Sequence, residues 1–305
     1  MMIKIENITK KLDNYLALSN LSCLIPRGCV YGLIGSNGAG KSTLLRVITG
    51  IYDVNGGKVT IDDEPVFENP DAKSRMIFVP DELYFLPGAN LNRMAKMYKS
   101  MYAKFNFERY NELVKVFKLD PTVNVNKFSK GMKRQAAILL ALCVGADYLF
   151  FDETFDGLDP VKRNLVRNLI AQDSCDFGTT VIITSHSLRE LEDTCDQLAL
   201  LHNGAIVFES DVQNLKTSLF KVQVAFFENY DEQKFSEFDT LSYTKHGSVS
   251  NLIIRGDRDQ TYKTLYEMKP ALLEILPLSL EEVFIHEMAN AGYSFDDILG
   301  GDANV

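Results

Sequence analysis

No apolar run in the 305-residue chain is long enough to cross a bilayer. The longest, Ala136–Ala146, covers 11 residues between Gln135 and Asp147, and a spanning helix needs about 20. The start, Met1-Met2-Ile3-Lys4-Ile5-Glu6, lacks a basic segment followed by an apolar one, so no secretory signal is expected. Cysteine is sparse and unpatterned. The five residues Cys23, Cys29, Cys143, Cys175 and Cys195 are odd in number and form no Cys-x-x-Cys pair, which predicts reduced, buried thiols in a cytosolic protein. Four scattered histidines (His186, His202, His246, His286) offer no zinc spacing. An excess of positive charge is also missing: 32 Lys and Arg face 41 Asp and Glu, a net charge of −9. That balance argues against a non-specific nucleic-acid binder. No internal repeat or low-complexity tract is visible. What the chain does have, 46% apolar and 24% charged residues, suffices for a buried core and excludes disorder.

Periodicity predicts an α/β chain. Ile3–Ile8 and Leu18–Ile25 alternate as strands of an antiparallel edge sheet, while Cys29–Ile34 is a continuous apolar run, as in a strand buried on both faces. Helical spacing follows at Ser42–Thr49, then strands at Lys58–Ile61 and Arg75–Val79. Between Asn90 and Phe117 the pattern is helical only, marking a helical subdomain of about residues 83–145 inserted in the body. A helix at Gly131–Val144, a strand at Tyr148–Phe151, a helix at Val161–Ile170, a strand at Thr179–Thr184 and a helix at Leu188–Asp193 complete an alternation expected of a mostly parallel sheet. The texture changes near Leu215. Strands at Phe220–Phe227 and Asn251–Arg255, with helices at Thr261–Met268 and Leu280–Met288, predict a small α+β appendage over residues 216–305. Gly300–Val305 reads as a frayed tail.

Two motifs carry chemistry. Gly35-Ser36-Asn37-Gly38-Ala39-Gly40-Lys41-Ser42-Thr43 fits the phosphate-binding loop Gly-x4-Gly-Lys-Ser/Thr, and it lies between a buried strand and a helix. Glycines let successive N–H groups converge on an anion at a helix N-terminus. Lys41 then reaches the outer phosphates and the Ser42 hydroxyl is placed to ligate Mg2+. Tyr148-Leu149-Phe150-Phe151-Asp152-Glu153 is an apolar strand ending in two acids, which places them in the ligand crevice of a parallel sheet. Asp152 is expected to hold Mg2+ and Glu153 to poise the attacking water, since phosphoryl transfer depends on positioning and charge.

Phe128-Ser129-Lys130-Gly131-Met132-Lys133-Arg134-Gln135 precedes this pair. Together with the phosphate loop and Asp152-Glu153, it resembles the Leu-Ser-Gly-Gly-Gln signature of ATP-binding cassette (ABC) ATPases. The order continues with Gly157-Leu158-Asp159-Pro160, similar to the family's D-loop, and with His186 after Val181-Ile182-Ile183-Thr184, similar to its switch histidine. The resemblance covers about residues 3–215 and implies a P-loop NTPase fold, ATP and Mg2+ as cofactors, and ATP hydrolysis. It also implies head-to-tail dimers, as homodimer or heterodimer, with each ATP between one subunit's phosphate loop and the other's signature. Ser129 and the Gly131 N–H are then expected to meet the γ-phosphate in trans, where a helix N-terminus favours an anion. His186 is expected to meet it in cis.

Four positions depart from the family pattern. Lys130 stands where glycine is usual and Met132 where glutamine is usual. Asp81, in Phe78-Val79-Pro80-Asp81-Glu82, takes the place of a glutamine; as a hard oxygen donor it suits Mg2+, yet it adds negative charge beside polyphosphate. The adenine-stacking position falls on Leu12, with Tyr15 three residues later, so either contact with the base is open.

Leu83–Phe105 fills the place where this family docks on separate transmembrane permease subunits, and its apolar turn Leu83-Tyr84-Phe85-Leu86-Pro87 suits docking a short partner helix, although the same aromatics also suit the lobe's own core. The ending Leu276–Phe284 resembles that of exporter-type cassettes. The expectation is an ATPase subunit lying peripherally on the inner face of the cell membrane and powering an exporter. The alternative is a soluble ABC ATPase acting on ribosomes or nucleic acid, which usually pairs two cassettes in one chain; only one phosphate loop and one signature occur here. A module that closes on ATP without hydrolysis is disfavoured by Glu153.

Overall fold

The computed structural model describes residues 2–290 and residue 293; the expected tail at Gly300–Val305 lies outside them. The chain divides after Glu209, a few residues ahead of the boundary expected near Leu215. Helix α8 (Val212–Ser218) explains the shift, because it packs on the last helix of the second unit.

In the first unit the elements run β1 (Met2–Leu12), β2 (Tyr15–Pro26), β3 (Val30–Ile34), α1 (Lys41–Ile48), β4 (Gly56–Ile61), β5 (Glu64–Pro65), α2 (Pro70–Ser74) and β6 (Met76–Val79). Helices α3 (Leu91–Met101), α4 (Phe107–Phe117) and α5 (Lys130–Leu142) form the inserted helical lobe. Then follow β7 (Tyr148–Phe151), α6 (Pro160–Phe177), β8 (Thr180–Ser185), α7 (Leu188–Leu191), β9 (Gln197–His202) and β10 (Ala205–Asp211). The antiparallel sheet has the order β2-β1-β4-β5. The larger sheet has the order β10-β9-β3-β8-β7-β6, with parallel pairing from β9 to β6.

Sequence pattern explains both sheets. β1 has one face against the core and alternates, whereas β3, β7 and β8 are buried throughout and read as continuous apolar runs. Leu44, Leu45, Val47 and Ile48 on one side of α1 join Ile3, Ile5, Leu18, Tyr31, Phe150 and Ile182 in a single cluster, so this helix packs against both sheets. Phe105, Phe107 and Tyr110 pack edge to face inside the helical lobe.

Two differences from the expected elements have local causes. The strands β9 and β10 went unpredicted although the turn between them is Asn203-Gly204, both at positive φ, the strongest short hairpin signal. Helix α6 runs to Phe177 rather than Ile170; its last turns are polar and weakly patterned, and Gly178 at φ +63° closes it. Among the cysteines, Cys29, Cys143 and Cys195 are buried thiols outside any disulfide, as expected, whereas Cys23 is half-buried and Cys175 is exposed on α6.

The second unit holds a four-stranded antiparallel sheet, order β12-β13-β11-β14, built from β11 (Leu219–Ala225), β12 (Asp239–His246), β13 (Val249–Arg255) and β14 (Leu272–Pro277). Helices α9 (Arg258–Glu267) and α10 (Leu280–Asn290) accompany it. Its core gathers Val222, Val224, Phe226, Phe235, Leu252, Ile254 and Leu265. Strands β12 and β14 were not expected, since their residues are mostly exposed or half-buried and carry a weak alternation. Among the described residues, no helix is long and apolar enough to cross a membrane.

Candidate active site

Sheet order assembles the site. β3, β8, β7 and β6 are consecutive parallel neighbours, so the segments leaving their C-terminal ends lie side by side. These are the glycine loop after Ile34, His186 after Ser185, Asp152-Glu153 after Phe151, and Pro80-Asp81 after Val79.

The glycine loop turns sharply into α1. Gly40 caps the helix at φ +109°, and a Cβ there would lie 2.7 Å from the Ala17 carbonyl oxygen, so conformation and space both demand glycine. Lys41, its side chain 6% exposed, folds back over the loop. Its Nζ donates to the carbonyls of Gly35 at 2.6 Å and Ser36 at 3.2 Å and stands 3.2 Å from Glu153 Oε1. Glu153 in turn places Oε2 3.1 Å from Nδ1 of His186. Cation, carboxylate and imidazole therefore form one chain.

Glu153 adopts φ +46°, an uncommon conformation for a side-chain-bearing residue and one that recurs at functional sites. The bend is held by Thr184, whose Oγ1 accepts the Glu153 N–H at 3.0 Å and donates to Asp152 Oδ1 at 2.7 Å. Asp152 is 1% exposed, and burying a carboxylate is costly unless it is hydrogen-bonded or faces a cation. Behind His186, Ser185 Oγ donates to Glu190 at 2.6 Å and accepts the Ser187 N–H at 3.0 Å, while Arg163 lies 3.2 Å from Glu190. These contacts brace the histidine's loop, whose imidazole is otherwise about half exposed.

A cavity of about 260 Å³ fronts this chain, walled by Tyr15, the glycine loop with Lys41, Ser42 and Thr43, and by Asp81 and Glu153. Tyr15, not Leu12, lines it, and its hydroxyl donates to the Gly38 carbonyl at 3.3 Å. Ala39 and Asp152 are buried and do not line the cavity, and neither does His186. Ser129 and Gly131 do not line the cavity. Ser129 caps α5 by accepting the Met132 N–H at 3.2 Å, and a Cβ on Gly131 would lie 2.7 Å from the carbonyl oxygen of Gly157. The signature segment therefore packs on the D-loop segment of its own chain, where Lys130 also pairs with Asp156 at 3.2 Å.

Sequence reasoning missed two contributors. Thr184 was read only as strand, although a buried hydroxyl in an otherwise apolar strand signals a polar partner. The Asn203-Gly204 turn reaches the site from β9 and β10: the Gly204 N–H donates to the Ala39 carbonyl and the Ser19 N–H to the Gly204 carbonyl, tying the glycine loop to β2. An anion cradle, an adjacent lysine, a carboxylate pair and a histidine together suit the in-line transfer of a phosphoryl group.

The family profile described as ABC transporter matches residues 18–156. The chain is 28% identical to the ABC transporter ATP-binding protein YtrB of Bacillus subtilis, over 93% of this chain and 97% of that one. It is 30% identical to the daunorubicin/doxorubicin resistance ATP-binding protein DrrA of Streptomyces peucetius, over 97% and 92%. The methionine import ATP-binding protein MetN of Protochlamydia amoebophila is 32% identical over 65% of this chain and 61% of that one. Among solved structures, a dimeric post-hydrolysis ATP-binding cassette bound to ADP and Pi superposes with a TM-score of 0.63 at 22% identity, covering 69% of this chain and 99% of that one. With its phosphate loop, its paired acids and its histidine brought to one sheet edge, the chain belongs to the ABC ATPases and is the ATP-binding subunit of an ABC transporter.

Proposed function

We propose that the chain hydrolyses ATP as one half of a head-to-tail dimer and drives an exporter through separate transmembrane subunits. The observation that carries this reading is the linked set Lys41, Glu153 and His186, in which Lys41 and Glu153 line the glycine-loop cavity and His186 is held to it through Glu153. In this reading Lys41 and the loop amides hold the β- and γ-phosphates and Tyr15 contacts the base. Glu153 orients the attacking water and accepts its proton, and His186 holds the γ-phosphate from the same side. Ser129 and the Gly131 N–H lie outside the cavity of their own chain, as an interaction in trans requires.

Magnesium fits the donors present. Ser42, Asp152 and Asp81 supply hard oxygen atoms, and the buried Asp152 carboxylate suits a divalent cation more than bulk water. When bound, the ion neutralises phosphate charge. Export as the direction is supported by the relative named for drug resistance, which aligns along nearly the whole chain, second unit included. The import relative aligns over a shorter share. Docking to a membrane partner is supported by Tyr84, exposed in the turn before the helical lobe, while Phe105 serves that lobe's interior.

The test replaces Glu153 by Gln. Nucleotide binding should persist, turnover should fall by about 10² or more, and ATP should hold the variant as a dimer in light scattering. A variant that stays monomeric with ATP, or that hydrolyses at the parent rate, overturns the reading. Export is checked by purifying the chain from membranes with its multi-span partner and following substrate movement in vesicles whose cassettes face outward; accumulation inside supports export, and substrate efflux from them contradicts it.

A further inference from the structure

Asp81 does not stand alone. Its Oδ1 accepts from a terminal guanidinium nitrogen (Nη2) of Arg134 at 2.6 Å, while Nη1 of the same arginine donates to the Pro80 carbonyl at 3.1 Å. Arg134 lies one turn inside the signature helix α5 and its side chain is 1% exposed, whereas Asp81 is 49% exposed. Its Nε finds no acceptor among the described residues. A guanidinium so deeply buried requires compensation, and Asp81 supplies it. Asp81 also borders two hollows: the glycine-loop cavity with Ser42, and a second of about 300 Å³ lined by Glu82, Leu83, Lys130, Lys133 and Arg134.

We infer that Arg134 is a positioning residue for nucleotide binding that acts through Asp81. It grips the segment leaving β6 at two points, aims the Asp81 carboxylate at the cavity and cancels the charge that would otherwise repel polyphosphate. The acid in the place of an amide and the buried arginine on the signature helix are thus one device. An unpaired carboxylate facing the cavity would disfavour metal-free ATP and favour the magnesium complex. Arg134 sets how strongly the site demands metal with its nucleotide. This inference rests on the reading of the glycine-loop cavity as the nucleotide site.

The experiment titrates the full chain with trinitrophenyl-ATP, once with magnesium and once with EDTA, and compares the ratio of the two dissociation constants. Arg134→Met, similar in length and apolar, should raise the metal-free constant against the magnesium one by at least about fivefold. In an Asp81→Asn background the same substitution should leave the ratio unchanged, because its route is gone. Equal changes in both backgrounds, or none in either, overturn the inference. If thermal unfolding shows Arg134→Met not to fold, Arg134→Gln, which keeps polar donors and loses the charge, takes its place: the ratio should rise by about fivefold or more, and an unchanged ratio refutes the inference. Lys41→Ala separates the two levels. Parent-like binding in that variant would sink the cavity assignment itself, whereas lost binding there with unmoved ratios elsewhere would sink only the role of Arg134.

Discussion

Thr184 shows how much a single hydroxyl can organise. It bridges the Asp152 carboxylate and the Glu153 amide, so it sets the distance between the acid suited to metal and the acid suited to water. Thr184→Val keeps the shape and leaves both groups unpartnered in a buried setting, at a cost of about 1–3 kcal/mol for each. The expected outcome is a lower melting temperature and reduced turnover with ATP affinity largely kept; Thr184→Ser should restore both. Parent-like turnover in the valine variant would reduce Thr184 to a packing residue. At this scale the chain was legible where chemistry is encoded in adjacent residues: Lys41, Ser42, Asp152 and Glu153 were all recognisable. The partners of Asp81 and Asp152 were not, because Arg134 and Thr184 lie 53 and 32 residues away along the chain.

The element that does most with least is the first turn of α5. Ser129 caps it, and Gly131 lets it touch Gly157 with no room for a side chain. Gly131→Ala forces a displacement of the signature against the D-loop segment, a strain of about 1–3 kcal/mol. ATP-dependent dimerisation and hydrolysis should both weaken, while ATP binding by the monomer should match the parent. A calorimetric titration beside light scattering separates the two; weakened monomer binding would mean that the helix start serves its own cavity. The β9–β10 hairpin teaches a different lesson. Its Asn-Gly turn was a strong local signal, but only the fold reveals that the tip bonds to Ala39 and Ser19 and supports the glycine loop.

Across the whole first unit, Arg75 joins the sheets. It pairs with Asp62 after β4 and with Asp147 before β7, and its guanidinium lies over the Tyr148 ring. Burial opposes ionisation of both acids, yet hydrogen bonds from Arg75 and Tyr148 to Asp62, and from Arg75 and Lys104 to Asp147, hold them below the usual carboxylate range. Because the folded state holds these protons less tightly than the unfolded chain, the stabilisation is complete above about pH 4. It is lost as pH falls through the depressed folded values. Arg75→Met should therefore melt earlier than the parent near neutral pH, with the gap closing in acid. A gap that stays constant from neutral to strongly acidic buffer would show that Arg75 contributes only packing.

The chain's local chemistry named the family and the reaction, because the glycine loop, the acids after β7 and the signature are contiguous words whose meaning depends on neighbours in sequence. Periodicity likewise announced the buried parallel strands, whose apolar runs leave little choice of partner. Strands β12 and β14 stayed hidden, since an exposed edge strand is selected by the strand beside it and not by its own polarity. Folding alone paired Asp81 with Arg134, put Tyr15 in place of Leu12 at the cavity and set Ser129 outside it. Those outcomes follow from which strands lie next to each other in the sheet, a property of long-range contacts that no short segment carries.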